Sequence, residues 1–284
     1  MSPMQKIKVG FVALATTATL ALVPAFSVNA FAFSSGSSGS NQDVPTTTTT
    51  TPRPTTTTPR PTTTTPVDTT VKPLPFNSSG LLGGNANPNF PEGEQGEVSL
   101  VQVSSLERAE FGSSATLLFA FRNNTKQTIT SIDWTVTARS EGKIVATGSG
   151  KTTTPVQVKP GEVGLSHVWF SNGAAIPDDA EFEFSVSTRV AGTPILDNAQ
   201  LTVTEANLSG SAIVGAAVNN TGAQVSGPFR VNIYCFDGDN LLSQDSTFTD
   251  QSGQIAPGGV VTFSNELYGQ DCQSFTVGVS GFGW

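Results

Sequence analysis

Beyond residue 95 apolar residues recur at every second position in short runs, and that period dictates the fold class. In "ATLLFAF" Leu117, Phe119 and Phe121 share a face, and in "IDWTVTA" Ile132, Trp134, Val136 and Ala138 do the same. In "AEFEFSVS" Phe182, Phe184 and Val186 point one way while Glu181, Glu183 and Ser185 point the other. Side chains alternate across an extended strand but not along a helix, so such runs, bounded by Gly, Pro, Asn and Asp, predict half-buried strands. No window of comparable length carries a helical period. The expected class is all-β.

The strands come in two copies. "FRNNTKQTI" at 121–129 is echoed by "AVNNTGAQV" at 217–225, a spacing of 96 residues. "DWTVTARSEGKIV" at 133–145 aligns with "RVNIYCFDGDNLL" at 230–242, and "VKPGEVGLS" at 158–166 with "IAPGGVVTF" at 255–263, both at a spacing of 97. "FEFSVS" aligns with "QSFTVGVS" at 91, which implies a shorter loop before the last strand of the second copy. Four blocks in the same order indicate a duplicated unit. Each copy, with a turn signal every 8–12 residues, has the size of a small sandwich. We therefore expect two tandem immunoglobulin-like β-sandwich domains, 96–192 and 195–284. The Asn-Asn-Thr triplet ends one strand, Glu-Gly-Lys or Asp-Gly-Asp-Asn makes a tight turn between the next two, and Pro-Gly turns the chain into a following one.

The run "VNNTG", "VNIYCFDGDNLL", "IAPGGVVTF" and the closing "FTVGVS" resembles the FxLYD domain family over about 205–284, with a weaker echo over 100–190. Its motif strand here reads Ile233, Tyr234, Cys235, Phe236 and Asp237, whereas the first copy has "TVTARSEG" at that place. The resemblance implies a small β-sandwich module of an exported bacterial protein, without enzymatic activity or catalytic residues.

The N-terminus gives the compartment. "MSPMQKIK" carries two lysines, "VGFVALATTATLALVPAF" is apolar, and "SVNA" offers small residues for cleavage, the three-part pattern of a secretory signal peptide over 1–30. An uncleaved membrane anchor is the alternative, because the apolar stretch approaches spanning length. Residues 31–95 form a Ser/Gly-rich and Thr/Pro-rich linker, expected to be disordered because threonine and proline bury too little apolar surface to offset chain entropy. Its core, Thr46–Pro66, spans roughly 60 Å as a semi-rigid spacer at about 3.1 Å per residue, and its threonines are acceptors for O-linked sugars. Signal peptide and stalk together resemble exported proteins of high-GC Gram-positive bacteria.

Charge and chemistry narrow the function. Net charge is −8, and from residue 195 onward eight acids face one base, Arg230, which argues against nucleic acid as a partner. In an oxidising compartment the only two cysteines, Cys235 and Cys272, are expected to pair; a catalytic thiol needs a base, and the sole histidine, His167, lies in the other half. Asp237, Asp239 and Asn240 alternate as hard-cation ligands do, so a calcium site is weighed there, against the simpler reading of a hairpin turn. Trp169 shares a phase with His167, opposite Val168 and Phe170, and the pair is the candidate contact for a glycan or protein partner. Gly-x-Ser-x-Gly, His-Glu-x-x-His and phosphate-loop motifs are all absent. The expectation is a non-enzymatic, secreted or surface-exposed protein with no cofactor, serving a structural or protein-interaction role. Alternatives are a binder of carbohydrate such as cell-wall glycan, and a calcium-stabilised adhesion module.

Overall fold

The structure, a computed structural model, describes residues 70–190 and 198–283. The segments read as signal peptide and Thr/Pro tract lie outside the described residues, as does Trp284. The protein is all-β, built of two curled antiparallel sheets that divide the chain between its two halves. Its short first strand is β1 (Gly83–Gly84). The first half holds β2 (Val98–Arg108), β3 (Ala115–Asn123), β4 (Ile129–Ser140), β5 (Lys143–Gly150), β6 (Thr153–Thr154), β7 (Val163–Phe170) and β8 (Glu181–Val190). The second holds β9 (Asn198–Ser209), β10 (Ala212–Val218), β11 (Val225–Asp237), β12 (Asn240–Phe248), β13 (Gln254–Ile255), β14 (Val260–Glu266) and β15 (Ser274–Gly283).

The first sheet runs β2-β3-β7-β5-β4-β8 and folds over where β5 meets β7 at Ser149 and Trp169. The second runs β12-β11-β15-β9-β10-β14, with β9 paired to β15 at its start and to β10 along the rest. Each encloses its own core. In the first, Phe119 packs edge-on against Trp134 and Phe184, with Phe121, Val168 and Phe170 around them. In the second, Phe229, Ile233, Phe263 and Val277 surround the Cys235–Cys272 bridge. The alternation read from the sequence is the inward face of these strands.

The duplication is visible atom by atom. Asn123 Nδ2 donates to the carbonyls of Gln127 and Val158, both at 2.8 Å, and Asn219 Nδ2 to those of Ala223 and Ile255 at 2.8 and 3.2 Å. Thr125 and Thr221 each donate a hydroxyl to the Oδ1 of that asparagine at 2.7 Å. Both asparagines are buried, so each amide staples a strand end to the loop that precedes the fifth long strand of its half. The last strands correct the alignment. Val136 pairs with Phe184 and Ile233 with Val277, which sets that spacing at 93 and keeps the inward face in phase.

Residues 70–95 depart from the expectation of a disordered linker. Phe76, Leu82, Ala86 and Phe90 are buried, in a third core with Leu118, Ala120, Val163 and Leu165 of the first half and Tyr234, Phe236 and Leu241 of the second. Strands β3, β7 and β11 thus bury both faces. Strand β1 pairs with β15 at Val277 and Thr276, so a segment preceding the first half joins the sheet of the second. The Arg122 side chain, itself buried, donates to the carbonyls of Leu74, Gly161, Pro91 and Phe90 at 2.7 to 3.2 Å. Burial lowers its pKa, opposed by the charge of Glu92. Asn124 Nδ2 adds bonds to Glu92 O and Glu94 O at 2.8 Å. Composition placed this segment in the linker; four apolar anchors and a buried guanidinium take it out.

Candidate functional site

Each sequence-selected residue has a definite place. Cys235, on β11, is bridged to Cys272 with Cα atoms 5.1 Å apart, and both are buried. Asp237, Asp239 and Asn240 form the turn between β11 and β12. Asp239 Oδ1 accepts the Asn89 N–H at 2.8 Å, and the Asp239 carbonyl accepts Gln102 Nε2 at 2.8 Å. That turn therefore docks residue 89 and strand β2. Among the described residues no three His, Cys, Asp or Glu side chains gather as metal ligands would.

His167 and Trp169 lie on the outer face of β7, in line with Val163 and Leu165. Along that face the environment grades outward. Val163 and Leu165 are sealed between the halves, His167 stands at the rim with Nδ1 buried and unpartnered, and Trp169 is 53% exposed. Burial holds the imidazole pKa below its ordinary value, and the positive charge of Arg230 pushes the same way. Arg230 is on the second half, so its charge acts on His167 across the boundary between the halves.

Following that rim leads to a cleft the sequence did not suggest. A cavity of about 170 Å³ opens between β4 and the β5–β6 link on one side and β11 and β15 on the other. On the second half it is lined by Arg230 and Asn232 of β11 and by Ser280 of β15, where Arg230 pairs with Ser280 and Asn232 with the neighbouring Gly278. Gly278 has a reason for lacking a side chain: a Cβ there lands on Thr154 Cγ2, so the halves could not close over it. Below the cleft Gln200 Oε1 accepts the Val156 N–H at 2.9 Å while Gln200 Nε2 donates to Val279 O at 3.0 Å. Lys151 stands at the mouth, 3.6 Å from Asp133, itself 3.8 Å from Arg189. Two polar atoms of its lining residues are left over: Thr153 Oγ1 and Asn232 Oδ1 are buried with no hydrogen-bond partner. No His, Cys, Asp or Glu is among the residues that line the cleft. The sequence signal for it was Arg230, the single base of the acidic half.

No family model and no curated protein matches the chain. Among solved structures, red sea bream transglutaminase is similar at 11% identity and a TM-score of 0.20, over 61% of this chain and 27% of that one. The secreted serine protease VesC from Vibrio cholerae is similar at 12% identity and a TM-score of 0.18, over 65% of this chain and 50% of that one. The chain thus spans a quarter to a half of their lengths, and likeness at that level carries no functional argument. Among the described residues no helix is long and apolar enough to cross a membrane.

Proposed function

We propose that this is an exported, non-enzymatic protein in which two FxLYD-like β-sandwiches form one stiff head on a Thr/Pro-rich stalk, with a structural or protein-interaction role at or outside the cell surface. The observation that supports the reading best is the third core. Phe76, Phe90, Leu165, Tyr234 and Phe236 are buried where the halves and the segment meet, so head and stalk end act as one body. Each large apolar side chain so buried contributes about 1.5–3 kcal/mol, enough together to suppress swinging. The signal-peptide pattern supports export.

Two measurements on the native host test this. Mass spectrometry of cells and medium should find a mature chain starting near residue 31 or 33, with hexose increments on the tract if the stalk is glycosylated. Hydrolase activity in the purified chain, or an unprocessed N-terminus in the cytosol, overturns the reading. A second reading, glycan recognition at the outer face of β7, is favoured by the exposure of Trp169 beside His167. Trp169→Ala then abolishes retention on a glycan array without lowering stability; unchanged retention removes it.

A further inference from the structure

We propose that the cleft between the halves is a binding site for one carboxylate-bearing sugar residue of a larger glycan, held by Arg230, Lys151, Thr153 and Asn232. This goes beyond the head-on-a-stalk role and does not rest on Trp169.

Size comes first. About 170 Å³ is some five times a water molecule's share of the liquid, room for a single ring and too little for a folded peptide. The unpartnered groups come next. Thr153 and Asn232, 4% and 2% exposed, line the cleft, and Thr153 Oγ1 and Asn232 Oδ1, shielded just behind its surface, have no hydrogen-bond partner. A buried polar atom left unpaired costs about 1–3 kcal/mol, which a ligand recovers by pairing it. The two groups also select chemistry. The amide orientation of an asparagine follows from its bonds, so Asn232 presents an acceptor or a donor, and a hydroxyl both donates and accepts. A ring carrying vicinal hydroxyls satisfies Thr153 and either orientation of Asn232. A bare phosphate dianion offers acceptors almost alone.

Charge supplies the rest. Arg230 is the one base after residue 195, and it stands across the cleft from Lys151. It donates from Nη2 to Ser246 Oγ at 3.3 Å, which engages one of its five N–H groups and leaves the fork able to take a carboxylate. Phe282, 41% exposed on the same wall, offers an apolar face for the C–H side of a pyranose. A cation pair, a hydroxyl, an amide and an exposed ring around a one-ring volume match an acidic saccharide better than any inorganic ion.

Amide chemical-shift titration of the full chain tests this with four probes: glucuronic acid, glucose, acetate and inorganic phosphate. Glucuronic acid should shift residues 130–132, 151–153, 230–232 and 280–282 and bind at least tenfold tighter than the other three. Arg230→Gln, at an exposed position, should weaken it at least tenfold with the fold intact, and Asn232→Leu should abolish it. Phosphate or acetate matching glucuronic acid makes the cleft a plain anion site and overturns the sugar; glucose matching it overturns the role of the cations. No shift at these residues with any probe overturns the site and leaves the display role untouched, since that role is tested by location and activity.

Discussion

Arg122 Nη1 donates to the carbonyl of Leu74 at 2.7 Å, binding β3 to a residue 48 positions earlier in the chain. The same guanidinium reaches Gly161, Phe90 and Pro91, so one buried side chain ties two stretches of the leading segment to the first half. Removing it strands buried carbonyls, the costly side of a hydrogen bond. Arg122→Met should cost about 3 kcal/mol in urea unfolding and open residues 71–92 to protease. Unchanged stability with the segment still protected shows that Phe76 and Phe90 hold it without the clasp.

Gly278 marks the closest approach of the halves. A Gly278→Val substitution drives a side chain onto Thr154, and overpacking of this kind costs about 1–3 kcal/mol. Small-angle scattering should register a larger radius of gyration, because the halves must part to accept it. A variant of unchanged radius and stability means that the contact between β6 and β15 yields elsewhere.

His167 gives the protein an acid limb. Its pKa is depressed in the fold by burial and by Arg230, so the unfolded chain takes up a proton first as pH falls. The contribution is complete above the unfolded value of about 6.5 and is lost as pH drops below it. The melting temperature should therefore fall between pH 7 and 5, and His167→Gln should flatten that stretch of the curve. An equally steep curve in the variant places the sensitivity in the carboxylates.

The disulfide closes a loop of 37 residues between the third strand of the second half and the entry to its last. Replacing both cysteines with alanine should lower stability by roughly 3–4 kcal/mol. Reductant should reproduce the loss in the parent chain and leave the variant unchanged; a parent insensitive to reductant shows that the bridge adds nothing to the fold.

The inward faces were legible because a half-buried strand writes its environment at every second residue. Phase alone set Trp134 with Ile132 and Val136 and Trp169 opposite Val168 and Phe170, and the blocks around Asn123 and Asn219 gave the duplication. Residues 70–95 were opaque for a physical reason. Val71, Phe76, Leu82, Ala86 and Phe90 fall four to six apart with no period, because an irregular segment filling a groove answers to its neighbours' shapes. The interface itself had left a trace: "ATLLFAF" and "IYCF" are apolar on consecutive positions, as strands buried on both faces are. Beyond the lone base Arg230 the cleft was illegible, since Thr153 and Asn232 lie 79 residues apart and only the packing of the halves brings them to face one cleft.

The pairing of β1 with β15 determines how the molecule bears load. Domains strung in series pass tension from one to the next, and the weakest extends first. Here a pull arriving from the residue-70 side meets Arg122, the third core and the edge of β15 before it reaches either sandwich. Under such a pull the leading segment, held to the sheet by a two-residue pairing, is expected to act as a mechanical fuse, peeling off with its two dozen residues before the long strand pairings of either sandwich give way.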